Sequence, residues 1–167
     1  EISSESNGID ISTVKLIGSV MYNNATSTLG DIRFNDNTIS SGWYGIVVYN
    51  MYDFGWEMHG NSSVSMGNIE FCGNTINSTI DALGFGNFND FGILMYDNSS
   101  FSMGSILIDD NTFHSYLWLG NFGRFGSNMY GNASFTMNNV EFNRNMIHSI
   151  GKAEDRIYFY NFLPFGS

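Results

Sequence analysis

The stretch GNSSVSMGNIEFCGNTIN, residues 60–77, recurs three more times in altered form. The copies are NNATSTLGDIRFNDNTIS from Asn23, DNSSFSMGSILIDDNTFH from Asp97 and GNASFTMNNVEFNRNMIH from Gly131. Asn37, Asn74, Asn111 and Asn145 form one column, with spacings of 37, 37 and 34. A second block, NMYDFG, NFNDFG, NFGRFG and NFLPFG, starts at Asn50, Asn87, Asn121 and Asn161. From the second block to the next Asn of the first column the distance is always 24, while the return distance is 13, 13, 10 and 16. All length variation therefore falls in one place. Loops accept insertions and packed strands do not, so each unit reads as a 24-residue core plus a variable surface loop.

Within the core, Met66, Ile69, Phe71 and Ile76 match Leu29, Ile32, Phe34 and Ile39 of the unit before. Ile69-Glu70-Phe71 alternates with period two, as in a strand with one face buried. Gly67 falls between two such short strands, as a corner. No helical periodicity runs through these stretches. Short strands and tight corners at a fixed repeat predict an all-β solenoid of about four to five coils, a single domain over residues 1–167, whole or as a segment of a longer β-helix. One coil cannot bury its own apolar face, so the stack supplies the core.

The pattern at Gly67 to Ile76 resembles the right-handed parallel β-helix superfamily, which includes pectate-lyase-like enzymes and many surface repeat proteins. More loosely, the Asn-Ser-Ser phrasing resembles repeat surface glycoproteins of protists. The resemblance spans roughly residues 8 to 166. It implies a parallel β-helix whose role is either enzymatic, on polysaccharides, or structural.

Composition narrows the functions. The net charge is −10, with 6 Lys plus Arg against 16 Asp plus Glu, which cannot build the basic footprint of a nucleic-acid binder. A single Cys allows no internal disulfide. No apolar run approaches the ~18 residues of a membrane span. Polarity comes instead from 22 Asn, 21 Ser and 8 Thr.

Asn37, Asn74, Asn111 and Asn145 read as a structural ladder in which stacked amides hydrogen-bond coil to coil. Asn24, Asn61, Asn98 and Asn132 each open an Asn-x-Ser/Thr sequon, and Asn77 opens a fifth. These are the glycosylation candidates of a secreted chain. Adjacent rungs ~4.8 Å apart would crowd glycans along the four-fold column, which leaves Asn77 the least crowded.

Met21, Met58, Met95 and Met129 form a column of core filler, and Tyr22, His59, Tyr96 and Tyr130 form the outward one after it. Trp43, Tyr44, Trp56, Tyr116 and Trp118 fall in or beside the variable segments and are candidate contacts for a carbohydrate. No zinc, hydrolase-elbow or thiol-pair motif is present, so no metal, cofactor or catalytic set is expected. Opposite charges in neighbouring coils, Arg33 with Glu70 and Asp110 with Arg144, read as cross-strand pairs. Asp109 and Asp110, being adjacent on a strand, are expected to point to opposite faces.

These readings converge on a non-enzymatic extracellular or cell-surface β-solenoid. It would be glycosylated and would associate with itself or with other surface glycoproteins. A carbohydrate-binding module and a polysaccharide lyase or hydrolase are the alternatives.

Overall fold

The structure, a computed structural model, describes residues 1–148 and 157–162. Every strand pair is parallel, and the described residues contain no helix. The chain winds as a β-solenoid of about four turns, each passing through five sheets.

A short sheet holds Val20–Met21, Glu57–Met58, Leu94–Met95 and Asn128–Met129. Next comes a hydroxyl-rich sheet of Thr26–Leu29, Ser63–Met66, Ser100–Met103 and Ser134–Met137. An acidic sheet follows, with Ile32–Asn35, Ile69–Cys72, Ile106–Asp109 and Val140–Asn143. A corner sheet contains Ile2–Ser4, Thr38–Ser41, Thr75–Ser78, Thr112–Phe113 and Met146–Ile147. The longest sheet is built on Ile46–Phe54, Asp81–Phe91 and Tyr116–Phe125. Ile9–Ile11 and Val14–Lys15 flank it on one side and Ile157–Phe162 on the other.

The alternation expected for the core units is the alternation observed. Ile69 and Phe71 are buried while Glu70 and Cys72 face outward. Their rungs are Ile32, Ile106 and Val140, then Phe34, Ile108 and Phe142. Like stacks on like: Phe34 lies 5.1 Å from Phe71, and Phe101 lies 5.1 Å from Phe135, with near-parallel rings. Each fully buried Phe, Ile or Met contributes about 1.5–3 kcal/mol, and the neighbouring coil provides most of its cover.

The variable segment is only partly a surface loop: past a short corner it runs into the longest strands among the described residues. These strands hide a different inward rhythm. Ile46 and Val48 are two apart, but Met51 and Phe54 follow at steps of three, and all four are fully buried. Asn50 and Asp53 lie between those steps with φ of 58° and 60°. Each left-handed residue turns the chain by an extra position, so period two becomes period three. Asn87 and Asp90 do the same in the next coil, and Asn121 and Arg124 in the one after. The rings at the end of this block stack along the axis, Phe54 to Phe91 at 4.9 Å and Phe91 to Phe125 at 5.3 Å. The fourth copy of the block, from Asn161, lies largely outside the described residues.

Length changes are absorbed just ahead of these strands. The coil-to-coil offset is 37 at Ile76 and Phe113, 35 at Asp81 and Tyr116, and 34 at Leu83 and Leu117. Two residues are dropped at the corner and one at a bulge holding Ala82. A bulge takes one unpaired residue without ending the ladder.

Candidate functional site

The predicted amide ladder is present, and every polar atom in its middle rungs is used. Asn74 Nδ2 donates to Asn111 Oδ1 at 2.8 Å and to the Phe34 carbonyl at 2.5 Å. Its backbone N–H also donates to Asn111 Oδ1, at 2.9 Å. Asn111 repeats the pattern toward Asn145 Oδ1 and the Phe71 carbonyl. Asn37 joins from the other side, its Nδ2 donating to Asn74 Oδ1 at 2.9 Å. Asn74 and Asn111 are each 1% exposed. A buried amide with all its partners fixes the corner; one without them would be costly.

The four sequon asparagines form a second ladder. Asn61 Nδ2 donates to Asn24 Oδ1, Asn98 to Asn61 and Asn132 to Asn98, at 3.0–3.1 Å. All four are exposed. A third ladder has no counterpart in the sequence reading. Asn87 Nδ2 donates to Asn50 Oδ1 at 2.8 Å, and Asn121 Nδ2 to Asn87 Oδ1 at 2.7 Å. Its column was visible at the head of the NMYDFG block; the left-handed backbone that Asn tolerates was the overlooked signal. Asn77 stands apart from all three: exposed on its strand, its side chain makes no hydrogen bond to a described residue.

The outward rings after the Met column stack continuously. Tyr22 to His59 is 4.9 Å, His59 to Tyr96 is 4.5 Å and Tyr96 to Tyr130 is 5.0 Å, all nearly parallel. His59 Nε2 lies 2.8 Å from Glu57 Oε1. Each inner ring has both faces covered by its neighbours, so the column presents ring edges to solvent. Met21, Met58 and Met95 are buried as expected, and Met129 is partly exposed. His114 and His148 stack at 5.0 Å just past the strands of the corner sheet.

The five aromatic candidates do not converge. Trp43 stands exposed at the corner before the long strand, with Tyr44 beside it, half-buried. Trp56 lines a shallow depression with Leu16, Ser19, Val20 and Asp53. Tyr116 opens its strand opposite Asp81. Trp118 meets Tyr49 edge to face at 5.2 Å. Both of these rings lie over a glycine pair on the outer face of the long sheet. A Cβ on Gly84 would fall 2.3 Å from the Tyr49 hydroxyl, and one on Gly86 would fall 2.1 Å from the Trp118 ring. Trp118 therefore covers backbone that the glycines leave bare, a structural task. Nearby, burial pushes the Asp81 carboxyl up to about 6. Burial first, and then the Asp81 charge, hold the Tyr49 phenol above its ordinary range.

On the acidic sheet, Arg33 reaches Glu70 at 3.0 Å and also contacts Asp31. Burial works to raise Glu70, but hydrogen bonds from Asn35, Asn68 and Arg33 outweigh it and hold the carboxyl below its usual range. Arg144 Nε meets Asp110 at 2.8 Å, and its Nη2 contacts Asp109 and Asp110 alike. The two acids thus share one partner instead of pointing to opposite faces. The reason is a left-handed corner. Asp36, Gly73, Asp110 and Arg144 all have positive φ, from 49° to 67°, which swings Asp110 back toward the side of Asp109. Cys72 is half-buried and outward; burial, then the Glu70 charge, raise its thiol. Among the described residues no group of three or more His, Cys, Asp or Glu is placed to hold a metal ion. Comparison with protein-family models, with curated proteins and with solved structures returns no match.

Proposed function

We propose that the chain is a non-enzymatic structural β-solenoid, an extracellular or cell-surface component that extends by stacking coils. One observation carries this reading: the repeated columns serve coil-to-coil contact. Three amide ladders, a ring ladder and the Phe stacks run along the axis. Outward acids that an enzyme of this architecture would gather in a cleft are instead paired with arginines of neighbouring coils, Glu70 with Arg33 and Asp109 and Asp110 with Arg144. The strand edges at Thr26–Leu29 and Ser134–Met137 present matching sequences in the same register. They suit further coils, from a continuation of the chain or from a second copy. The coil length and the Gly67–Ile76 pattern support placing the chain beside the right-handed parallel β-helix superfamily.

Glycosylation belongs to the same proposal. Asn77 is its best site, because a sugar on Asn61, Asn98 or Asn132 would sit on an amide already donating within the ladder. Site-by-site mass spectrometry of chain secreted from a eukaryotic host tests this; an Asn77 peptide without glycan ends it. Self-association is tested by negative-stain microscopy of the purified chain. Rods of variable length are expected, and uniform monomers at high concentration would overturn the stacking role.

A further inference from the structure

The hydroxyl-rich sheet carries a regular, charge-free outer face. Its two outward columns are Thr26, Ser63, Ser100 and Ser134, then Thr28, Ser65, Ser102 and Thr136. The four strands pair without a register shift. The eight hydroxyls therefore stand on a lattice of ~4.8 Å between strands and about 6.6 Å along them. Their hydrogen-bonding capacity is nearly unspent: Thr136 Oγ1 reaches the Phe101 carbonyl at 3.5 Å, and the other seven hydroxyls make no hydrogen bond to a described residue.

The setting is rigid and neutral. Beneath the face lie Val64, Phe101, Met66 and Met103, each 1–3% exposed. Beside it runs the exposed amide ladder, hydrogen-bonded from Asn24 to Asn132. No Asp, Glu, Lys or Arg occupies the hydroxyl columns or the amide column, in a chain of net charge −10. Two features select the occupant. A linear sugar polymer is usually held by the exposed faces of aromatic rings, and the inner rings next to this face have theirs covered by one another. What remains is a two-dimensional array of small neutral donors and acceptors, already ordered, whose remaining partner is water. Liquid water offers no matching periodicity; a crystal of water does.

The geometry points to an ice-binding face: these two hydroxyl columns, with the amide ladder as a third row, hold water in positions that continue into an ice lattice. Pre-ordering on a rigid sheet removes the entropic cost of aligning the groups, and charged side chains, which orient water radially, are absent from the columns. The proposal does not depend on coil stacking or secretion.

The test is nanolitre osmometry of the purified chain, reading thermal hysteresis and crystal shape. Three chains are compared after circular dichroism shows each folded: wild type, Ser65→Lys/Ser102→Lys at the centre of the face, and Thr75→Lys on the corner sheet. Faceted crystals and hysteresis are expected from wild type and Thr75→Lys, and their loss from the double variant. Round crystals growing freely with wild type overturn the proposal. So does equal activity in the double variant. Co-sedimentation with an insoluble neutral polysaccharide, lost in the double variant without any effect on ice, would assign the face to sugar instead.

Discussion

Two asparagine ladders run the length of this solenoid, with the same side chain at the same spacing. The corner ladder, through Asn74 and Asn111, is sealed; the sequon ladder, through Asn61 and Asn98, lies in water. The middle corner amides, Asn74 and Asn111, saturate their donors and their acceptor, two bonds from Nδ2 and two to Oδ1. Asn61, Asn98 and Asn132 of the sequon ladder each make one donor bond, and toward the opposite end of the molecule. The difference shows that repetition alone does not measure importance. A hydrogen bond exchanged with water is worth little, whereas one that seals a buried carbonyl cannot be removed cheaply.

The widest gap between the ladders should open at Asn111. Asn111→Ala leaves the Asn74 backbone N–H and one Nδ2 hydrogen of Asn74 without their acceptor, and takes the Asn111 donor from the Phe71 carbonyl, all buried. At about 1–3 kcal/mol for each of the two orphaned donors, urea unfolding should show a loss of about 2–6 kcal/mol. A loss under about 1 kcal/mol would mean that water reaches the corner.

The half-buried third ladder sharpens the contrast by adding backbone strain. Asn87 has φ of 54° and bonds to both neighbours. Asn87→Val puts a β-branched residue in the left-handed region and removes both bonds, at about 2–3 kcal/mol. Asn87→Gly keeps the backbone and should lose less than half of that. Equal losses in the two variants would show that the side-chain bonds, and not the conformation, matter there.

Burial acts on a charge at Asp81 as it acts on an amide at Asn74. The folded carboxyl titrates at about 6, above the ordinary carboxylate range, because burial disfavours its ionised form. Folding therefore favours the protonated acid. The contribution of Asp81 to stability is therefore full below about pH 4, is lost as pH rises through 6, and is flat above. Asp81→Asn should remove that slope and raise stability at pH 7 by about 1–2 kcal/mol, after discounting for partial exposure. Melting curves at pH 4 and pH 7 read it directly; parallel pH dependence in the two proteins would refute the assignment.

The smallest effect belongs to the exposed ladder. Asn98→Ala should cost no more than about 0.5 kcal/mol, although it breaks bonds on both sides.

The inward face of the core units was legible because strand alternation and repeat spacing agree at Ile69, Phe71 and their rungs. Asn74 and its column were legible for the same reason. The long strands were not. Met51 and Phe54, or Phe88 and Phe91, sit three apart, which matches no strand template until Asn50 and Asp53 are known to be left-handed. Length variation also argued for a loop there, because a bulge of one residue at Ala82 is invisible without the facing strand. Trp118 looked like a free ring for the same reason. Its place over Gly86 depends on a register of 34 that a constant repeat of 37 does not predict. Asp109 and Asp110 followed the strand rule until the positive φ at Asp110 broke it.

The corner and bulge that swallow three residues between the second and third long strands also make the solenoid a host for foreign sequence. Before the bulge the rungs keep the 37-residue offset at Ile76 and Phe113, and after it they settle into a new one at Leu83 and Leu117. A peptide grafted between Ser78 and Asp81 would be held outside the stack at a fixed height, with ordered rungs above and below. Grafting at the equivalent corner of every second coil would hold copies of an epitope ~9.6 Å apart, twice the rung spacing.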